Sequence, residues 1–510
     1  MTAAATAPVR QRLPRGTSAV PLSAVRLLRV ELRRNAMPWV LPLIAALFWF
    51  DSYRPSTGTA QLYALRTFWN MGQGHTIIDF GPFVAGVAAW MGSRDGRRGL
   101  ADLVTATARP RWAAQLATWA ATAIWAVAAY LVFVGVMFAM YAHQGVGGTP
   151  PWWWVAVGVA AVTAFSAAGF AVGVYWPSRF AAAVAAFGGF LVMALSSQTG
   201  FKYSSGWAEI LPTNSNGNFD LRDSGVFFPW LPDVPIARIL FLAGIAVAAL
   251  GLTGLRRRAG GPWLRCAAAV ITLAGVASAG TGAGLASTAR LSTYGMVIPA
   301  LHDAANDAPI AYTPVCGRAT GVPVCLNPAY RRWLPDMTAA LAPVLAEVSG
   351  LPGAPVRATQ VANVNTIGAG PPQRIALGGH PPVLRLSLGS FDMPGPCGFC
   401  DAPVGNDDFA NQIRLFFVQA FVGMGNGSGS QVQQAVQAAL LRGAGIPFAA
   451  QPKLAAVSTN GPESVPGPAT GPVYAAARRF AAQPAAARHA WLAAHLAALR
   501  AGGLTPEELP

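Results

Sequence analysis

Charge is scarce in this chain. Of 510 residues only 11% are charged while 53% are hydrophobic, which excludes an ordinary soluble globular protein, where roughly a quarter of residues carry charge. Lysine is scarcer still, with Lys202 and Lys453 the only two. A Walker A loop ends in Gly-Lys-Ser or Gly-Lys-Thr. Here Phe201 precedes one lysine and Pro452 the other, so any nucleotide chemistry must sit on another polypeptide. The histidines His75, His143, His302, His380, His489 and His495 form no His-Glu-x-x-His pair, which excludes a zincin peptidase. The Gly-x-Ser-x-Gly elbow of serine hydrolases is missing too. Gly-Thr-Gly-Ala-Gly at 280–284 superficially matches a nucleotide loop, but it closes an apolar run, where small residues serve helix packing. These absences predict that the chain is not itself an enzyme.

What is present is apolar sequence and arginine. The net charge is +16, and its placement matters more than its size. Residues 1–289 hold 22 Lys and Arg against 9 acids, net +13, whereas residues 290–510 hold 14 against 11, net +3. The cations therefore accompany the apolar half, which points to a bilayer and away from nucleic acid. The richness in Arg, Ala, Gly and Pro suggests a GC-rich bacterial genome.

A spanning helix needs about twenty mostly apolar residues, because lipid offers no partner to an unpaired backbone amide. Seven segments qualify: 36–51, 77–92, 113–142, 152–176, 180–198, 235–255 and 263–286. The first two are short, and Pro38 and Pro42 fall in the first. Membrane-flanking Arg and Lys mark the cytoplasmic side. Arg10, Arg12, Arg15, Arg26, Arg29, Arg33 and Arg34 precede the first segment; Arg94, Arg97, Arg98, Arg109 and Arg111 lie between the second and third; Arg179 lies between the fourth and fifth; Arg256, Arg257, Arg258 and Arg265 lie between the sixth and seventh. The other side carries Arg54, Arg66, Lys202, Arg222 and Arg238. This one-sidedness predicts a multi-pass plasma-membrane protein with a cytoplasmic amino terminus. An odd number of spans then puts everything beyond about residue 287 outside.

The expected architecture is an α-helical polytopic membrane domain followed by an α+β extracytoplasmic domain. Residues 1–20 read as a disordered cytoplasmic tail and 21–35 as an interfacial helix, with Leu22, Val25, Leu28 and Leu32 set against arginines at helical spacing. Residues 36–286 form the membrane domain, and 290–510 the outer domain. Within the latter, Arg374–Leu377 and Val383–Leu388 read as strands, and Met337–Val348, Phe409–Val422, Gln431–Leu441 and Tyr474–Leu499 as helices. Trp152, Trp153 and Trp154 read as an interfacial anchor. Asp79, near the outer end of the second segment, reads either as part of a substrate path or as an interfacial cap. The loop Cys325-Leu-Asn-Pro-Ala-Tyr330 with Arg331 and Arg332 reads either as a ligand loop or as a structural turn.

The segment between the second and third spans reads GSRDGRRGLADLVTATARPRWAAQLATW, residues 92–119. It resembles the corresponding loop of the ABC-2 class of ATP-binding-cassette transporter permeases, which follows roughly E-x-x-x-G-T-L-E-x-L-L-A-T-P and then basic residues. Asp95 stands for the first acid, Gly99 for the glycine, Asp102 for the second acid, and Val104, Ala106 and Thr107 for the L-x-A-T run. Arg109, Arg111 and Trp112 lead into the next span. Leu100, Ala101, Thr105 and Ala108 depart from the pattern, with a proline instead at Pro110. The resemblance covers roughly residues 22–255 and extends to an interfacial helix, six spans and a long external loop, 199–234. It implies a coupling helix, involving Arg94, Asp95, Arg97, Arg98, Gly99, Asp102, Thr107, Arg109, Arg111 and Trp112, that docks on a separate cytoplasmic ATPase. It implies ATP and Mg bound by that partner and no cofactor or metal in this chain. It also implies a homodimer or a pair of permease halves. The seventh span and the outer domain are additions to the family's minimal pattern. Apart from the resemblance, a membrane-anchored outer enzyme and a ligand-sensing scaffold are the alternatives.

Four of five cysteines, Cys316, Cys325, Cys397 and Cys400, fall in the outer domain, where disulfides are expected. Proximity favours Cys316 with Cys325 and Cys397 with Cys400. The pair Cys397-Gly-Phe-Cys400 also matches a thiol oxidoreductase motif, but its flanks read as loop. Cys266, inside the last span, is expected to be buried and inert.

Overall fold

The computed structural model describes residues 20–48, 80–98, 110–143, 147–202, 210, 223–256, 261–292, 295–362, 374–388, 406–424, 429–452, 454 and 471–510. Its first half is helical: α1 (Val20–Arg33), α2 (Met37–Phe48), α3 (Phe80–Gly92), the single turn α4 (Arg94–Arg97), α5 (Arg111–His143), α6 (Trp152–Tyr175), α7 (Ala181–Lys202), α8 (Asp233–Gly254) and α9 (Pro262–Ser287). Apolar helices thus lie on all seven expected segments. Four of them, in α5, α6, α8 and α9, are long and apolar enough to cross a membrane, while α2, α3 and α7 contribute shorter apolar helices.

Small residues set the packing. α6 is the most enclosed of the four, with 67% of its apolar window buried. Gly169 and Gly173 let the backbone of α3 approach at Ala85 and Ala89, and Gly158 makes room for Tyr130 of α5. α8 and α9 run side by side in the same way. A Cβ on Gly275 would fall on the backbone of Ala248, and one on Gly244 on that of Ala279. Ser278 Oγ donates to Leu240 O at 3.0 Å across the same seam. Close backbone approach of this kind is how apolar helices associate where the solvent is as greasy as they are. Beyond α8, α9 is little covered, and Trp263, Val270 and Leu273 are exposed. Cys266 is exposed too, contrary to the expectation of a buried thiol, because it lies on the side of α9 turned away from α8.

The bundle has two distinct ends. At one, α4 lies against α1 through Glu31 and Arg94 and against Pro177 of the α6–α7 connection through Gly96. At the other, the α5–α6 and α7–α8 connections meet the second domain: Gly147 abuts Ala329, Asn327 Nδ2 donates to Val226 O at 3.5 Å, and Ile310 N donates to Phe227 O at 2.7 Å. The segment 325–332 is therefore a structural junction, with Asn327 almost fully buried and its Oδ1 capping Ala329 N.

The second domain is α+β. After a small hairpin of β1 (Arg290–Ser292) and β2 (Gly295–Val297), a five-stranded sheet runs in the order β3-β4-β5-β7-β6, from β3 (Val315–Ala319), β4 (Val322–Leu326), β5 (Arg357–Gln360), β6 (Ile375–Gly378) and β7 (Val383–Leu386). β4, β5 and β7 are parallel neighbours, and β3 and β6 pair antiparallel at the two edges. Thr320 and Gly321, both at positive φ, make the tight β3–β4 turn, as the right-handed twist of a hairpin favours. That pairing sets Cys316 opposite Cys325, and the two form a disulfide. Closing a loop of about ten residues contributes roughly 2 to 3 kcal/mol. Cys397 and Cys400 lie outside the described residues. α10 (Leu334–Val348), α11 (Asn406–Val422), α12 (Gln431–Gly443), α13 (Pro472–Ala482) and α14 (Ala485–Arg500) follow. They build a core with the sheet in which Trp333, Tyr330, Phe409, Phe417 and Phe421 are fully buried.

Only β6 and β7 were legible as strands. The helix expected over Tyr474–Leu499 is two, because Gln483 and Pro484 are extended between α13 and α14; Pro484 has no amide to continue the ladder.

Replacing Gly275 with leucine should wedge α8 from α9 and cost about 2–3 kcal/mol by overpacking. A lowered thermal midpoint of the detergent-solubilised chain, with Gly280→Leu as control, checks this, since nothing lies within 4 Å of a Cβ at Gly280.

Candidate functional site

α1 is amphipathic because its arginines recur on one side of apolar residues, and in the structure Arg26, Arg29, Arg33 and Arg34 are exposed along with Val25 and Val30. Its C-terminal end is pinned. Trp125 Nε1 of α5 donates to Leu32 O at 3.0 Å. Asn35 accepts from Met37 N, capping α2, and donates to Thr122 Oγ1, both at 2.9 Å. Glu31, which faces inward, receives both arms of Arg94 at 2.9 and 3.0 Å. Such a two-armed guanidinium–carboxylate pair is geometrically specific as well as strong. Hydrogen bonding to Glu31 raises the Arg94 pKa despite partial burial, so the guanidinium is charged at any physiological pH. Asp95 adds a longer contact to Arg94 Nε at 3.6 Å.

Arg97 folds back. It donates to Trp90 O at 2.9 Å and lies 3.4 Å over the Trp90 ring, and burial followed by the neighbouring Arg98 lowers its pKa. Arg98 is exposed. Trp112, at the start of α5, is buried: its Nε1 donates to Leu250 O at 3.3 Å, and its ring packs beside Gly254 and Ala268. Arg256 donates to Val174 O and lies 5.3 Å over the Tyr175 ring, while Tyr175 donates to Leu252 O at 2.5 Å. This end is therefore a braced plate joining α1, α4, the α6–α7 connection, the start of α5 and the end of α8. The Glu31–Arg94 pair is the contact that ties α4 to α1.

Of the expected coupling residues, Arg94, Asp95, Arg97, Arg98, Arg111 and Trp112 are described. Asp79, Gly99, Asp102, Thr107 and Arg109 lie outside the described residues. Arg94 and Trp112 face inward and serve the brace. Sequence reading missed Glu31, whose partner is 63 positions away; the lone acid among the arginines of α1 was the available signal.

The opposite end holds a second cluster that sequence reading also missed. Asp233, fully buried in the first turn of α8, accepts from Ile298 N at 3.0 Å and faces His302 Nδ1 at 3.1 Å. His302 Nε2 faces Asp307 at 3.1 Å. Arg238, one turn further along α8, is buried near the Trp154 ring, 5.7 Å away. A neutral imidazole has one N–H and satisfies one carboxylate; the cation satisfies both. Burial depresses the His302 pKa, but the bond to Asp307 and the charge of Asp233 outweigh it and raise the pKa above its ordinary value. A catalytic triad needs a nucleophile on the second ring nitrogen, and Asp307 occupies that place. Among the described residues no group of three or more His, Cys, Asp or Glu side chains is arranged to hold a metal ion.

No protein-family model matches this chain, and no curated protein or solved structure is significantly similar to it.

Removing Glu31 strands a half-buried guanidinium, so Glu31→Ala and Arg94→Ala should each cost about 2 kcal/mol. The double variant should cost little more than either alone, a coupling read from thermal unfolding in a double-mutant cycle. The His302 bridge has the opposite dependence from a carboxylate pair: with its folded pKa raised, its stabilisation is complete below about pH 6.5 and is lost as pH rises through the folded value. Amide exchange at Ile298, normalised for intrinsic rate, should therefore accelerate about threefold or more between pH 5.5 and 8.5, and His302→Gln should abolish the change.

Proposed function

We propose that the chain is the membrane-spanning permease subunit of an ATP-driven transporter of the ABC-2 class, working as an exporter. In this reading all seven apolar segments cross the plasma membrane, the amino terminus and the α4 end are cytoplasmic, and the α+β domain lies outside. A separate ABC ATPase binds ATP and Mg and docks on the segment that begins at α4. Two permease halves, identical or paired, enclose the path, and the outer domain receives or gates the cargo.

One observation carries the reading: α4, which opens the segment resembling the family's coupling loop, is bolted to α1 by the Glu31–Arg94 pair and rests on the α6–α7 connection. A coupling element must do two things, present a surface to a soluble motor and pass its displacement to the helices. Exposed Gly96 and Arg98 supply the first, and the brace supplies the second. The sorting of arginine to this end agrees with the positive-inside rule, and the disulfide at the far end agrees with an oxidising compartment.

Affinity purification of the tagged chain from its own membranes should recover an ATPase carrying a Walker A lysine. Replacing Asp95, Gly99 and Asp102 together should reduce that recovery about tenfold while the chain still inserts and forms its disulfide. Transport by the purified chain alone, or recovery unchanged by the triple replacement, would overturn the proposal.

A further inference from the structure

The helices of the α+β domain cover one face of the five-stranded sheet. Val324, Leu326, Ala358, Leu384, Leu386 and Ile375 point into that core and are buried. On the other face the strand register arranges the side chains in two crosswise rows. In the first, Arg318 of β3 stands opposite Pro323 of β4, next to which come Arg357 of β5, paired with Val383 of β7, and then Gly378 of β6. In the second, Cys316 stands opposite Cys325, then Thr359, Arg385 and Ala376. Arg318, Arg357 and Arg385 are exposed. Everything between them is small or flat: proline, glycine, alanine, valine, threonine and the disulfide, on which Arg357 leans with Nη2 3.5 Å from Cys325 Sγ.

Among the described residues no ion pair joins an acid to Arg318, Arg357 or Arg385. Among the described residues, the acids of this domain are Asp303, Asp307, Asp336, Glu347, Asp407, Asp408, Glu507 and Glu508, every one on or capping a helical turn. At ordinary strand spacing Arg318 and Arg357, two strands apart, are about 10 Å from one another, and Arg357 and Arg385, one strand and one row apart, about 8 Å. Three planar forks on a flat floor suit phosphate groups, which arginine engages two-handed. A polypeptide of acidic side chains would need pockets between the contacts, and the small residues of the floor leave none built by bulky side chains.

We propose that this face binds an extended polymer bearing phosphate groups, laid across the strands over Arg318, Arg357 and Arg385. The assignment is independent of the transport reading, and its test needs no ATPase.

Full-length protein in detergent micelles is treated with phenylglyoxal, which modifies arginine, with and without linear polyphosphate. Modification at each site is read by peptide mass spectrometry. Polyphosphate should slow the reaction of Arg318, Arg357 and Arg385 at least fivefold, while Arg331, Arg442 and Arg479, exposed elsewhere on the domain, change less than twofold in the same sample. Thr359→Glu, which places an opposing charge on the floor without removing an arginine, should abolish the protection with the Cys316–Cys325 bond intact. Equal protection at all six arginines means bulk charge alone and overturns the proposal. It is likewise overturned if polyglutamate of matched charge protects the three better than polyphosphate does, or if nanodiscs of phosphatidylglycerol protect them without any polymer.

Discussion

Hydrocarbon leaves a guanidinium without hydration, and moving one to mid-bilayer costs about 3 kcal/mol or more. A chain whose cations are nearly all arginine must therefore place them at a surface or satisfy them inside. The first half of this protein does both. Among the described residues most of its arginines gather at the α4 end of the bundle, and three that turn inward there find partners: Arg94 in Glu31, Arg97 in Trp90, Arg256 in Val174 O and the Tyr175 ring; Arg238, at the opposite end, is buried near the Trp154 ring. The same constraint makes the opposite end free to carry a folded domain, because the connections there carry few cations.

The two ends are braced by different chemistry. At the α4 end the two-armed Glu31–Arg94 pair, with its raised arginine pKa, and two indole-to-carbonyl bonds hold the helices together. At the other end the link between α8 and the α+β domain runs through Asp233, His302 and Asp307, a bridge that depends on one proton. Between them lies α6, whose glycines let α3 and α5 approach its backbone.

Much of this was legible beforehand because two signals are strong in single sequences: long apolar runs and the side on which arginine flanks them. Both act locally, through about twenty residues of backbone that must satisfy itself. The same locality made α10, α11 and α12 readable from their apolar spacing. The sheet was mostly illegible. β3 contains Gly317, β4 contains Pro323 and β5 (Arg357–Gln360) has no large apolar residue, so none shows the apolar run that marks β6 and β7, and β4, β5 and β7 pair in parallel across long connections. Glu31 and Asp233 were illegible for a related reason. A lone acid acquires its role from a partner 63 or 69 positions away, and spacing along the chain holds no trace of that distance. Within the stretch 92–119 that resembles a coupling loop, Trp112, expected at a docking surface, belongs to the core.

Arginine thus has three physical settings here, distinguishable by what surrounds the guanidinium. In α4 it is enclosed and matched by a carboxylate, so it is structural. On α1 it is exposed beside Val25 and Val30, the setting of a helix lying at an interface. On the second face of the sheet it is exposed above small residues, with no ion-pair partner among the described residues. Solubility alone would be served as well by lysine or by mixed charge, and stability is poorly served by like charges such as Arg357 and Arg385 on adjoining strands. A fold that keeps such a face cationic and flat carries an electrostatic cost that a bound anion would remove.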